Sequence, residues 1–94
     1  MSKESVRARI ETLKGDIARY RTQLASLRSR KSETNARYSA LIKNAASTSS
    51  KASYRNQKAS VIANIESQIR TINSSIATKQ RFLAEMRARL KTEK

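Results

Sequence analysis

Nearly every side chain here that could do chemistry is a cation: 21 Lys and Arg stand against seven Asp and Glu, with no histidine and no cysteine. Without imidazole the chain lacks the usual general base and the commonest metal ligand. Without thiols it has neither disulfides nor a thiolate metal site. Glu33, Glu66 and Glu85 have no sequence neighbours that would complete an acid–base pair, and the Ser-rich stretch 44–53 holds no strand–turn–helix nucleophile motif. Catalysis, a bound metal and a cofactor are therefore not expected. The chemistry left to a net charge of +14 is attraction to anions: nucleic acid, an anionic membrane or an acidic protein surface.

The spacing of apolar residues says what must carry those cations. Val6, Ile10, Leu13, Ile17, Tyr20, Leu24, Leu27, Lys31, Thr34, Tyr38, Leu41 and Ala45 follow one another at steps of four and three. That is the seam of a coiled-coil helix. With Ile10, Ile17 and Leu24 at heptad position a, the cations Arg7, Lys14, Arg21 and Arg28 occupy e, and Arg9, Arg30 and Arg37 occupy g. Gly15, the only glycine, falls on the outer face, and proline is absent.

The pattern stops in Asn44-Ala45-Ala46-Ser47-Thr48-Ser49-Ser50-Lys51-Ala52-Ser53, where clustered hydroxyls favour caps and turns. A second stripe follows in its own phase: Ile62, Ile65, Ile69, Ile72, Ile76, Lys79, Leu83, Met86 and Leu90. Nearer the turn, Tyr54, Lys58 and Val61 lie on a slightly rotated line, so that Val61, Ile65 and Ile69 form a stutter, which locally unwinds a supercoil. Continuing the first phase would place Glu66, Asn73, Gln80 and Arg87 on the seam, which argues against one unbroken helix.

These features predict an all-α chain, a single antiparallel coiled-coil hairpin over residues 1–94. Helix is expected over about 3–45, a turn over about 46–51 and helix over about 52–92. Pairing across a turn centred on Thr48 sets Lys31 near Glu66, and sets Lys79 near Ala18 with no acid to meet it. Lys31 in the seam either sets register or lays its methylenes over the seam with its ammonium in water. Ser2 or Ser5 is the expected first cap.

A two-helix unit with one seam is usually marginal alone. A second contact surface is available in Ala8, Ala18, Ala25, Ala36 and Ala40 of the first helix and Ala63, Ala77, Phe82 and Ala84 of the second. Assembly into a four-helix or larger bundle is therefore expected, with further copies of the chain or with another helical protein.

The candidate surface for an anion or an acidic partner is Arg21, Arg28, Arg30, Lys31, Arg37, Lys43, Lys51, Arg55 and Lys58, because residues 17–65 hold ten bases against Glu33 alone. Nucleic acid is the alternative partner, since dispersed cations suit phosphate contact, although no zinc-finger spacing, basic-zipper block or aromatic-rich sheet motif is present. Tyr20, Tyr38 and Tyr54 lie on the seam by spacing, as core residues rather than base-stacking platforms. Membrane binding is disfavoured by a narrow seam without large anchors. A structural rod in a phage particle or other assembly is the third reading. Met1-Ser2-Lys3-Glu4-Ser5 has no apolar signal-peptide core, so a cytoplasmic location is expected, with export independent of a signal peptide left open.

Two stretches add a family likeness. Ala8-Arg9-Ile10-Glu11-Thr12-Leu13-Lys14 and Leu24-Ala25-Ser26-Leu27-Arg28-Ser29-Arg30-Lys31, in a chain of two long helices, resemble the small helical-hairpin proteins of type VII secretion, the helical partners of LXG-type toxins in Gram-positive bacteria. The resemblance implies a hairpin that stacks on a toxin's N-terminal helices and helps present it for export, as a targeting chaperone. The turn lacks the Trp-X-Gly signature of the best-known branch. Phe82 is followed four residues later by Met86 rather than an acid, so no functional residue is carried over.

Overall fold

The computed structural model describes residues 2–93, and the fold is an antiparallel hairpin of two α-helices. The first, α1, runs Lys3–Asn44 (42 residues) and the second, α2, runs Thr48–Thr92 (45 residues). No strand interrupts them among the described residues.

Each helix begins on a serine. The Ser2 Oγ accepts from the Ser5 amide at 3.1 Å, and the Ser47 Oγ accepts from the Ser50 amide at 3.0 Å. Both satisfy a first-turn donor that has no partner within the helix. Lys43 in the last turn of α1, and Arg89 and Lys91 in that of α2, lie at the negative ends of the helix dipoles.

The turn is Ala45–Ser47, shorter than the 46–51 expected from the hydroxyl cluster. It closes without a residue of positive φ. One hydroxyl suffices to cap α2, and Thr48, Ser49 and Ser50 then occupy the first helical turn, where serine and threonine are well tolerated.

Contacts between the helices fall into two compact units. In one, α1 up to Gln23 packs against α2 from Thr71 onward. Val6, Ile10, Leu13, Ile17, Ile76 and Leu83 are its buried side chains, with Val6 and Leu13 at 0% and 1% exposure. Tyr20, Ile72, Met86 and Leu90 are half-buried beside them.

In the other unit, residues 24–70, only Leu24, Leu27, Tyr38 and Ile65 are buried. Leu41, Tyr54, Val61, Ile62 and Ile69 are half-buried, as are Lys31, Lys51 and Lys58. The stutter accounts for part of this. Val61 with Ile62, and Ile65 with Glu66, share the inward side as adjacent pairs, and Ile65 alone is fully enclosed, at 1%. Glu66 is thereby brought beside the seam, where its carboxylate meets the Lys31 Nζ at 3.1 Å.

Gly15 is exposed, and a Cβ added there would have nothing within 4 Å. Its only effect is the entropic cost of glycine inside a helix, about 1 kcal/mol relative to alanine. Gly15→Ala should therefore raise the midpoint of a thermal melt followed by circular dichroism by roughly 4–8 °C. Leu13→Ala should lower stability by about 2–5 kcal/mol. Equal, small effects of the two substitutions would mean that Leu13 is not enclosed.

Candidate functional site

The cations are positioned by the two helices, and four acid–base contacts are resolved among the described residues. Lys14 meets Glu11 at 3.5 Å and Lys31 meets Glu66 at 3.1 Å, all four side chains being more than a third exposed. Pairs of this kind contribute about 0–1 kcal/mol. Asp16 differs, being 18% exposed and holding two cations: Arg19 one turn on along α1, and Lys79 of α2 at 3.4 Å.

That second contact corrects the expectation that Lys79 has no acid. Asp16 is the only acid on the g row of α1, which otherwise reads Arg9, Gln23, Arg30, Arg37 and Asn44. A lysine stem spans the half-turn between Ala18 and Asp16 while its methylenes cover the seam.

A groove of about 400 Å³ runs along one face of the unit that joins the start of α1 to the end of α2. Ile17 and Leu83 form its buried base, Ala18 and Ala84 its shallow walls, and Lys14, Arg21, Gln80 and Arg87 its edges. The alanines leave it open, and the edges make it cationic. Another depression in the same unit, also about 400 Å³, is lined by Tyr20, Thr71, Ser74, Ser75, Thr78 and Lys79, and so is rich in hydroxyls.

The unit around the turn has its own groove of about 370 Å³, lined by Arg37, Ala40, Leu41, Asn44, Ala45 and Tyr54. The Arg37 guanidinium lies 5.7 Å from the centre of the Tyr38 ring, within cation–π range.

Eight of the nine residues of the candidate anion surface share one unit. Arg21 belongs to the first unit, and the other eight residues to the unit of residues 24–70. Of those eight, Arg28, Arg30, Arg37, Lys43 and Arg55 are exposed, Lys51 and Lys58 are half-buried seam positions, and Lys31 is paired with Glu66. The bias toward the turn also depends on where the chain is divided. Residues 24–70 hold nine bases against two acids and the remainder twelve against five, a formal +7 in each case.

Of the seam residues, Ile10, Leu13, Ile17, Leu24, Leu27, Tyr38, Ile65, Ile76 and Leu83 are buried, and Tyr20, Leu41, Ile62, Ile69, Ile72, Met86 and Leu90 half-buried. Ala8, Ala18, Ala25, Ala36, Ala40, Ala63, Ala77 and Ala84 are all exposed, and Phe82 is the one large hydrophobic exposed among the described residues, at 37%. The Arg81 guanidinium lies 5.8 Å from the centre of the Phe82 ring.

Lys14 and Arg87 are the groove residues that sequence reasoning left out of the anion surface. Lys14 was visible in the e row beside Arg21, whereas Arg87 joins them only once the register between the helices is known.

No cluster of three or more potential metal ligands occurs among the described residues. No helix among them is long and apolar enough to cross a membrane. No family model, curated protein sequence or solved structure matches the chain. What the arrangement supplies chemically is fixed positive charge beside shallow apolar grooves.

Asp16→Asn removes the charge shared by Arg19 and Lys79 and should cost about 1 kcal/mol in urea denaturation. Lys31→Leu should be neutral or stabilising by up to about 1 kcal/mol, because it extends the seam while the half-exposed Glu66 turns to water. A larger loss from Lys31→Leu than from Asp16→Asn would reverse this ranking of the two cross-helix pairs.

Proposed function

We propose that this chain is a non-enzymatic helical interaction module that acts by taking another helical protein onto its uncovered faces. The observation that carries the reading is that the alanines flanking the single seam are all exposed while the seam residues are buried or half-buried. Helices that pack on two sides bury a wider stripe than one seam, and alanines let an incoming helix approach closely. A narrower form of the reading, a partner or targeting chaperone for a secreted helical toxin of type VII secretion, rests on the resemblance of the Ala8–Lys14 and Leu24–Lys31 stretches and on the hairpin architecture.

Nucleic-acid binding is the competing reading, favoured by a net charge of +14. It asks only for cations and leaves the apolar grooves unexplained. The two are separated by co-expression with any helical protein that a neighbouring gene encodes, followed by a salt titration of the purified chain against duplex DNA. A stoichiometric complex that survives moderate salt is expected. Absence of such a complex, with tight DNA binding near 50 mM salt that falls steeply by about 200 mM, would replace the interaction module with a nucleic-acid binder.

A further inference from the structure

The groove of Ile17, Ala18, Leu83 and Ala84 combines an apolar base with cations on both edges. Lys14 and Arg21 stand on α1 and Arg87 on α2. Lys14 and Arg21 are seven residues apart, which is two helical turns or about 10.5 Å along the axis. Any helix laid along the groove repeats its own facing side at the same seven-residue interval. We propose that this groove is the docking site for an acidic amphipathic helix of another protein, with carboxylates seven residues apart meeting Lys14 and Arg21 and a third, three or four residues beyond the one at Lys14, meeting Arg87. Small apolar residues between those acids lie on Ala18 and Ala84. The assignment rests on the reading of the chain as a helix-binding module and names the surface and the partner's chemistry.

Charge decides the occupant. A second copy meeting groove to groove would set Lys14, Arg21 and Arg87 against their duplicates, and the chain has only seven acids with which to offset 21 bases. Like charges opposed across an interface disfavour that pairing. Duplex DNA would satisfy the cations through phosphates but leave the exposed Ala18 and Ala84 without an apolar partner. An acidic helix answers both features. The Glu11 carboxylate on Lys14, 3.5 Å away and 73% exposed, is a solvated partner that an incoming carboxylate can replace at little cost.

The test uses the full chain and a fluorescein-labelled helical peptide with glutamates at i, i+4 and i+11 around alanine and leucine, followed by anisotropy. The double variant Arg21→Glu/Arg87→Glu should weaken binding by about tenfold or more, and a peptide with lysines in place of those glutamates should bind it in return. The variant Arg9→Glu/Arg70→Glu, which changes net charge equally outside the groove, should change affinity by less than about threefold. Circular dichroism melts of both variants control for folding. Equal weakening by the two variants, failure of the lysine peptide to restore binding, or no binding to the original protein would overturn the assignment. If the natural partner binds the Arg21/Arg87 variant at full affinity, the groove is the wrong surface while the wider reading stands. If no helical partner binds the original protein, the wider reading fails with it.

Discussion

A single apolar seam, shared between two helices that pass in opposite directions, is the interaction on which everything else in this structure depends. Along α1 every position that steps by four and three from Val6 to Leu41 is buried or half-buried, with Asp16, Asn35 and Ile42 half-buried beside them. On α2 the stripe follows the same steps except at Val61, Ile65 and Ile69. Neither helix has an apolar face wide enough to be stable alone in water, and isolated helices gain most of their stability in proteins by packing such a face. The fold is thus as strong as the seam's apolar layers. Those layers are fuller between the start of α1 and the end of α2, where Val6, Leu13 and Ile17 are enclosed, than around Lys31, Lys51 and Lys58.

Because only one stripe is buried, the remaining surface is free to be charged, and nearly all of that charge has one sign. Surface pairs such as Lys14 with Glu11 do little to offset it. Asp16 is the exception, since its position at the edge of the seam lets it hold Lys79 from the opposite helix and Arg19 from its own. The same geometry that holds Lys14, Arg21 and Arg87 around one groove also leaves Ala18 and Ala84 exposed beside them, and this coincidence of positive charge with shallow apolar ground carries the functional reading.

Much of the fold was legible in the residues, because heptad spacing is a local signal and helix phase survives over long distances. The change of phase after Ala45 was enough to indicate a reversal, and Lys31 could be set opposite Glu66 by counting outward from the turn. Finer features were harder to read. The Ser-Thr run looked like a six-residue turn because hydroxyls favour both turns and caps, yet Ser47 alone caps α2 and the following residues are helical. Lys79 seemed to lack an acid because counting placed it at Ala18, whereas a lysine reaches half a turn further to Asp16. The groove needed a fact that no single helix contains: which residues of α2 lie beside the e row of α1. Arg87 entered the site only through that relation.

The central claim is that the seam of α1 is covered by the same chain's second helix. Electron–electron distance measurement tests it most directly, with spin labels at Thr12 and Glu85, both exposed, in protein diluted with an excess of unlabelled chain. The hairpin predicts a separation of no more than about 25 Å, two helix diameters, that dilution leaves unchanged. A separation near 110 Å, as in one unbroken helix, or a short distance that disappears on dilution because it arises between chains, would contradict it.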